Sequence, residues 1–410
     1  MIRGRLWRDS DFVKLWTGQT ISQMGSRISR EGIPLAAVLV LGATPLQMGY
    51  LGGASGIAIL VFGLFAGAWA DRLRRRPLMI LTDLVRAGVL ASIPVAAFLH
   101  RLTMGHLYAA AAVTGILTVL FDISYQAYVP ALVNEDNILE ANSKLALTES
   151  IAEVAGPGVT GVLVQLITAP MAILFDAVSF VVSAVSLSLI RRAEPPPERR
   201  EHADMLHEIR EGLTVAWRNP ILRAIALRTG TAAFFMGFIS SLYMVFAIRE
   251  LRLTPAVLGI IISVGGATSL FGAVAAERVA RRFGVGPSII GAALLTGIAA
   301  LLIPLARGPA VVCAAVLGVS QLLDVAWPVY NINELTLRQS VTPNHLLGRV
   351  NSAIHLLFQG ILPAGALAGG VLAQATSMRT TMLIGSTGYL LSTLWLIASP
   401  VRKLQTGHGG

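Results

Sequence analysis

Carboxylate side chains stand inside or beside long apolar stretches of this chain, where a charge is costly. Glu149 and Glu153 lie four residues apart, which places them on one face of a helix. Asp122 and Asp324 each lie well inside an apolar run. Because a buried carboxyl group takes up a proton more readily than an exposed one, we expect one of these four groups to bind a coupling proton. The alternative for the two glutamates is that they lie near a membrane surface and pair with loop arginines.

A polar stripe runs along the first apolar stretch. Gln19, Gln23, Arg27 and Arg30 recur at helical spacing, while most of the remaining stretch is apolar. Such a stripe suits the wall of a cavity, in which the two arginines offer positive charge to an anionic or polar substrate. The alternative is that the arginines pair with Glu31 or with a carboxylate of another helix.

Two distant parts of the chain share a pattern of one aspartate followed by two aromatic residues. In both, the aromatic residues come three and six positions after the aspartate. The face that begins at Asp324 continues to Arg338, so it is either a cavity wall or an extended cytoplasmic helix end. A later stretch places a histidine and a glutamine on another polar face. The candidate cavity residues are Gln19, Gln23, Arg27, Arg30, Tyr125, Trp327, Asn331, His355 and Gln359.

The elements that carry these residues are predicted to be membrane-spanning helices. Hydrophobic residues make up 54% of the chain, whereas apolar residues including glycine make up about 45–50% of typical soluble proteins. Apolar runs of roughly 20 or more residues are long enough to cross a hydrocarbon core of about 30 Å. We predict an all-α integral membrane protein with twelve transmembrane helices. The predicted spans are 12–41, 46–71, 77–99, 105–133, 142–168, 170–190, 221–248, 255–280, 286–306, 309–336, 346–376 and 380–400.

Basic residues are concentrated on one side of the predicted membrane. The net charge is +10, and arginine clusters precede the first span, follow the second, sixth and eighth spans, and recur near the end of the chain. By the positive-inside rule, both termini are cytoplasmic. The basic character therefore reflects topology and does not indicate nucleic-acid binding. We expect the protein to reside in a bacterial cytoplasmic membrane.

The chain divides into two halves that resemble each other. A proline-rich, charged segment at 193–219 contains an amphipathic helix and predicts a cytoplasmic linker between bundles at 1–192 and 220–410. Asp71 corresponds to Glu277 after the second and eighth spans, and Asp122 corresponds to Asp324 in the fourth and tenth. We therefore predict two six-helix pseudo-repeats around a central cavity.

The loop after the second span resembles a known family signature. The stretch GAWADRLRRR is similar to the pattern Gly-x-x-x-Asp-Arg-x-Gly-Arg-Arg of the major facilitator superfamily, with Arg74 in place of the second glycine. Stretches such as LWTGQTISQMG (15–25) and EGLTVAWRNP (211–220) resemble the exporter branch that includes the enterobactin exporter and macrolide-efflux proteins. The matching signature residues are Gly67, Asp71, Arg72, Arg75 and Arg76.

The resemblance implies that this signature forms a conformational latch. Asp71 would face the N-terminal end of a helix in the opposite half when the cytoplasmic side is closed, where the helix end favours a carboxylate by about 1 kcal/mol. The arginines would pair with carboxylates of the opposite half and contact anionic lipid. The alternative for the arginines is a basic loop that only sets topology.

A second partial motif lies in the fifth predicted span. Gly156, Pro157 and Gly161 match positions of the superfamily's antiporter motif, whereas Ala152 and Thr160 stand where glycines are expected. Small residues allow close helix contact, and proline permits a kink. The segment therefore gives some support to export.

Asp83 and Arg86 lie three residues apart at the start of the third predicted span. We expect them to form a local ion pair, because side chains three residues apart on a helix are neighbours.

The expected function is secondary active transport. The sequence shows no nucleotide-binding loop, no cluster with metal-ligand spacing and no nucleophile elbow, so we expect neither an enzyme nor a cofactor nor a metal site. We expect a monomer that exports amphipathic drugs or a siderophore-like metabolite by alternating access, with a small-molecule substrate, protons and membrane lipids as partners. An importer or a lipid or lysolipid flippase of the same fold is the alternative, and a membrane enzyme or receptor is a third class.

Overall fold

The computed structural model describes residues 5–70, 74–192, 194 and 205–404. Within this part of the chain the regular structure is entirely helical. Short 3₁₀ turns at Arg5–Arg8, Glu135–Asn137, Asn344–Leu346 and Pro400–Lys403 accompany the α-helices. The α-helices are α1 (Ser10–Leu39), α2 (Pro45–Ala70), α3 (Arg75–Phe98), α4 (Met104–Leu132), α5 (Ile138–Ile167), α6 (Ala169–Ser188), α7 (Met205–Arg218), α8 (Pro220–Arg249), α9 (Pro255–Phe283), α10 (Val285–Leu305), α11 (Ala310–Leu323), α12 (Ala326–Ser340), α13 (Leu347–Ala375), α14 (Met378–Leu391) and α15 (Leu394–Ile397).

Several helices begin at residues whose side chains bind the free N–H groups of the first turn. The Asp9 carboxylate accepts hydrogen bonds from the backbone of Asp11 and Phe12 at the start of α1. Asn219 does the same for α8, in which Pro220 occupies the first helical position. Since the first N–H groups of a helix have no partner within it, such caps fix where the helix starts.

Ten helical segments of the described chain are long and apolar enough to cross a membrane, with Ala310–Ser340 and Met378–Ile397 each counted as one segment. Helix α1 is not among the ten, and it carries Lys14, Arg27, Arg30 and Glu31. The prediction of an all-α, multi-pass membrane protein is confirmed for the described residues.

The tenth predicted span, 309–336, is interrupted. Helix α11 ends at Leu323 and α12 begins at Ala326. Pro328 lies four residues after Asp324, so it provides no N–H for the Asp324 carbonyl, and its ring crowds that carbonyl. The break lies at the carbonyl that the proline leaves without its usual N–H partner four residues later. Asp324 ends one helix instead of heading a continuous polar face.

One compact unit contains the described residues within 1–43, 54–202 and 254–260. In it, α1 packs on α5 and α6, and α3 packs on α4 and α6. Part of the apolar core is formed by Phe12, Leu15, Met79, Phe121 and Leu132. A Cβ atom at Gly18 would lie 2.9 Å from the Ser186 Cβ atom, so the small residue permits the close approach of α1 to α6.

The other compact unit contains the described residues within 44–53, 203–253 and 261–410. Here α8 packs on α13 and α14, and α10 packs on α12 and α14. Helix α7 lies against α8 and α13, and Glu211 of α7 accepts a hydrogen bond from Arg349 of α13 at 2.5 Å. The core includes Leu222, Ile225, Ile289, Val350 and Leu396.

Candidate functional site

The polar stripe of α1 has both buried and accessible members. Gln19 is buried and donates a hydrogen bond from Nε2 to Ser183 Oγ on α6 at 3.2 Å. Gln23 is half-buried and Arg30 is exposed. Gln19 therefore contributes to the packing of α1 on α6, whereas Arg30 lies at the surface of the structure.

Arg27, the fourth member of the stripe, forms a bidentate ion pair with Glu153 of α5. Its Nη1 and Nη2 atoms donate to Oε1 at 3.1 Å and to Oε2 at 2.8 Å. The arginine side chain is 13% exposed and that of Glu153 is 54% exposed. Gly156, one turn further along α5, provides the space, since a Cβ atom there would lie 2.5 Å from the Arg27 Cβ. Of the alternatives that the sequence left open for Arg27, the structure shows pairing with another helix.

Asp122, Tyr125 and Glu149 form a group beside this ion pair. Both carboxylates are exposed and the tyrosine is half-buried. Glu149 interacts electrostatically with Asp122 of α4 and with Tyr125. The structure thus brings Asp122, Glu149 and Glu153, three of the four candidate coupling carboxylates, to the α4 and α5 region of one unit.

The antiporter-like segment of α5 makes close backbone contacts. A Cβ atom at Gly161 would lie 2.2 Å from the Pro255 carbonyl oxygen. A Cβ atom at Gly259 would lie 2.3 Å from the Pro157 carbonyl oxygen. Because backbone oxygens cannot move aside as a flexible side chain can, glycine is required for this approach of α5 to residues 254–260.

The loop signature is only partly within the described chain. Asp71 and Arg72 lie outside the described residues, and Gly67 lies in α2. Arg75 donates from Nη1 to the Ala127 carbonyl at 3.1 Å. Arg76 donates from Nε to the Leu187 carbonyl at 2.8 Å and from Nη2 to the Ser188 carbonyl at 2.5 Å.

The first residues of α3 and the last residues of α6 stabilise each other. The Glu194 carboxylate accepts hydrogen bonds from the backbone N–H groups of Arg75 at 2.7 Å and Arg76 at 3.2 Å. A carboxylate is favoured at a helix N-terminus, and a guanidinium is favoured at a C-terminus. In this structure the two arginines therefore join helix ends within one unit.

The predicted site residues of the other unit lie on α11, α12 and α13. Asp324 is half-buried at the end of α11, and no ion pair of Asp324 is seen within the described ranges. Trp327 is 50% exposed. Asn331 and Gln359 are half-buried, and His355 is exposed.

Arg228 of α8 is a buried cation that the sequence analysis did not single out. It is 6% exposed, and its guanidinium carbon lies 3.8 Å from the centre of the Tyr330 ring and 5.6 Å from that of Tyr389. Its Nε and Nη2 atoms have no hydrogen-bond partner among the described residues. An arginine within an otherwise apolar run was the signal that could have identified it.

A second buried group was also incompletely recognised. Asp83 and Arg86 of α3 form an ion pair of 2.5 Å, which confirms the local pair expected from their spacing. Asp176 of α6, 1% exposed, interacts electrostatically with both. Its sequence signal was a single aspartate inside the apolar run AILFDAVSF.

Known proteins similar to this chain are transporters. Residues 15–364 match the family described as Major Facilitator Superfamily. The multidrug efflux pump Tap of Mycolicibacterium fortuitum is 26% identical over 378 residues, which cover 88% of this chain and 90% of Tap. Macrolide efflux protein A of Streptococcus pyogenes is 24% identical, covering 92% of each chain. The enterobactin exporter EntS of Escherichia coli is 24% identical, covering 86% of this chain and 82% of EntS.

Solved structures show the same fold. A bacterial homologue of the iron transporter ferroportin, in an inward-facing state, superposes with a TM-score of 0.75 and 18% sequence identity. The match covers 96% of this chain and 99% of that protein. At this level of identity the likeness concerns the fold alone.

Proposed function

The chain belongs to the Major Facilitator Superfamily, and we propose that it is a proton-coupled exporter of amphipathic small molecules that works by alternating access. The family resemblance stated from the sequence is confirmed. Three relatives that cover most of the chain are named as efflux proteins for multiple drugs, macrolides and enterobactin. Their names support an amphipathic drug or a siderophore-like metabolite as the substrate class.

The observation that carries this proposal is the group of charged residues on α1, α4 and α5. It combines the Arg27 and Glu153 ion pair with Asp122, Tyr125 and Glu149. Charged groups within membrane helices are costly and commonly mark substrate or proton pathways. A partly exposed carboxylate that pairs with an arginine can exchange that partner for a proton.

We propose the following chemistry for this group. When Glu153 is ionised, it holds Arg27 through two hydrogen bonds. Protonation of Glu153 removes its charge and leaves Arg27 available to a polar or anionic group of the substrate. The proton and the substrate would then compete through the same arginine, as an antiporter requires. The proposed set of substrate-contacting residues also includes Gln23, Arg30, Trp327, Asn331, His355 and Gln359.

The proposed architecture is that of twelve spans in two six-helix repeats around a central cavity, with both termini cytoplasmic and a bacterial cytoplasmic membrane as the location. In this arrangement Gly67, Asp71 and Arg72 belong to a latch that stabilises one of the two states. We propose that the monomer is the transporting unit and that membrane lipids surround it.

A substrate screen in inverted membrane vesicles tests the function. Cationic dyes, macrolides and a catecholate siderophore would be offered under an imposed pH gradient, acidic inside. Gradient-dependent accumulation of at least one compound, absent from vesicles without the protein, is the expected result. Transport only in the opposite direction would favour an importer, and movement of labelled phospholipid or lysolipid alone would favour a flippase.

A further inference from the structure

A buried polar cluster lies where α1, α3, α4 and α6 meet in one unit, next to Asp122 of the charged group on α1, α4 and α5. Its ionisable members are Asp83 and Arg86 of α3 and Asp176 of α6. Their side chains are almost completely inaccessible, since these residues are 0%, 3% and 1% exposed. This burial makes the charge balance of the cluster decisive for its stability.

Arg86 is fixed by several neighbours. Nη2 lies 2.5 Å from Asp83 Oδ1, and Nη1 donates to Thr118 Oγ1 at 3.2 Å. The guanidinium carbon lies 4.1 Å from the centre of the Phe180 ring and 4.6 Å from that of Phe121. Within the described chain, Arg86 Nε and Asp83 Oδ2 have no hydrogen-bond partner. The ion pair is therefore surrounded by aromatic rings and incompletely satisfied.

Asp176 is the second carboxyl group of the cluster. Its Oδ1 atom accepts a hydrogen bond from Ser179 Oγ at 3.0 Å. A Cβ atom at Gly25 of α1 would lie 2.7 Å from this oxygen, so the carboxyl group lies directly against α1. Asp176 interacts electrostatically with Arg86 and with Asp83. One guanidinium thus faces two buried carboxyl groups.

The charged groups around the cluster come from only some of the helices that pack on it. Helix α3 supplies Asp83 and Arg86, and α4 supplies the exposed Asp122, which interacts electrostatically with Arg86. Glu149 of α5 interacts with Asp122. Helix α1 and the rest of α6 contribute the uncharged side chains of Gln19, Ser29, Ser179 and Ser183.

The balance between one guanidinium and two carboxyl groups favours binding of one proton in the cluster. If both buried carboxyl groups were ionised, a net negative charge would remain in a buried site, which is strongly unfavourable. Two carboxylates that share one counter-ion do not both ionise readily. Asp83 holds the ion pair with Arg86, so Asp176 is the group that would carry the proton in this conformation.

We propose that Asp83, Arg86 and Asp176 form a one-proton binding site, and that this site, with Asp122 as its accessible neighbour, carries a second coupling proton in addition to the one proposed for Glu153. This assignment rests on the proposed proton-coupled function. Proton release would leave Asp176 charged, so it requires Arg86 to move towards Asp176 or water to enter. The bound proton and the position of Arg86 are therefore linked.

Infrared difference spectroscopy tests the site without any substrate. The carbonyl stretch of protonated carboxyl groups would be measured on the purified full-length protein at neutral pH. Asp176→Asn and Asp83→Asn should each lose one protonated carboxyl group, because the remaining carboxylate pairs with Arg86. Arg86→Gln should gain one, because both carboxyl groups then lack a counter-ion. Asp136→Asn, at an exposed loop carboxyl group, is the control and should leave the band unchanged. A band unchanged in both aspartate variants overturns the proposed site.

A transport measurement tests the coupling role of the site separately from its ability to bind a proton. Asp176→Asn should lose accumulation of ethidium in acid-loaded inverted vesicles but retain downhill ethidium exchange. Loss of the infrared band with normal accumulation would overturn the coupling role. If wild-type vesicles show the infrared band but accumulate no compound from the screen, the proposed transport function is wrong and the proton site remains.

Discussion

Arg27 of α1 and Glu153 of α5 meet through two hydrogen bonds, although the glutamate side chain is 54% exposed. An ion pair with so exposed a partner stabilises a fold by only about 0–1 kcal/mol. Such a pair can open and close at little cost to the fold. This property suits a contact that exchanges its partner during a transport cycle.

Neutralising this pair should affect transport much more than stability. Glu153→Gln removes the charge that holds Arg27 but keeps the side-chain size, so the thermal midpoint in detergent should change little. Gradient-driven accumulation should fall strongly. The matched control is Glu140→Gln, which removes a glutamate of the same helix that pairs with Lys144 at 3.4 Å. Equal substrate accumulation in the Glu153→Gln and Glu140→Gln variants would show that the ion pair of Arg27 has no part in transport.

Gly156 should tolerate no side chain. A Cβ atom at this position would lie 2.5 Å from the Arg27 Cβ, whereas one at Gly88 would have no neighbour within 4 Å. We expect Gly156→Ala to lower the thermal midpoint, in line with a cost of about 1–3 kcal/mol for overpacking. Gly88→Ala should be neutral or slightly stabilising, since alanine is the better helix former. Equal midpoints for the two variants would contradict the close packing of α1 on α5.

Asp11 should make the stability of the fold depend on pH in the acidic range. Burial acts to raise the pKa of Asp11, but hydrogen bonds from Lys14 and from the backbone N–H groups of Arg191 and Arg192 outweigh it and hold the pKa below its ordinary value of 3.8. A group with a depressed folded pKa stabilises the protein above its unfolded pKa, and this contribution is lost as the pH falls through the folded pKa.

The measurement that follows is a comparison of thermal midpoints between the wild type and Asp11→Asn across pH. The variant should be less stable at neutral pH, by about 1.5–3 kcal/mol if the charged hydrogen bonds are typical. The difference should shrink below about pH 4 as the wild-type carboxylate takes up its proton. A difference that grows on acidification would have the wrong sign for this account.

Asp71→Asn tests the latch that the family signature implies. The substitution preserves size and removes the charge that would distinguish the two transport states, so transport should fall while expression stays near the wild-type level. Spin-label distances across the cytoplasmic side would report the change in state populations. Full transport with unchanged distances would remove the latch from the mechanism.

The sequence was most informative about the fold class and least informative about which side chains interact with each other. Long apolar runs predicted the helices, and the spacing of Asp83 and Arg86 predicted their ion pair, because both depend on nearby residues. The partner of Arg27 could not be chosen, since Glu153 lies on a helix distant in sequence. Asp176 and Arg228 were passed over as isolated charges in apolar runs. Their significance depends on which neighbours the fold places around them.

The break after α11 shows another limit. Pro328 was visible in the sequence, but prolines also occur inside α4, α5 and α13 without ending those helices. Whether a proline interrupts a helix depends on packing around the freed carbonyl. The position of Asp324 therefore could not be fixed from spacing alone.

The most direct test of the central claim is flux of one substrate in vesicles of both orientations. In inverted vesicles acidified inside, an exporter coupled to protons should accumulate substrate in the lumen, and an uncoupler should abolish the accumulation. Glu153→Gln and Asp176→Asn should each lose this accumulation but retain exchange down a substrate gradient. Proton-driven uptake into right-side-out vesicles, with none into inverted ones, would instead establish an importer and contradict the account.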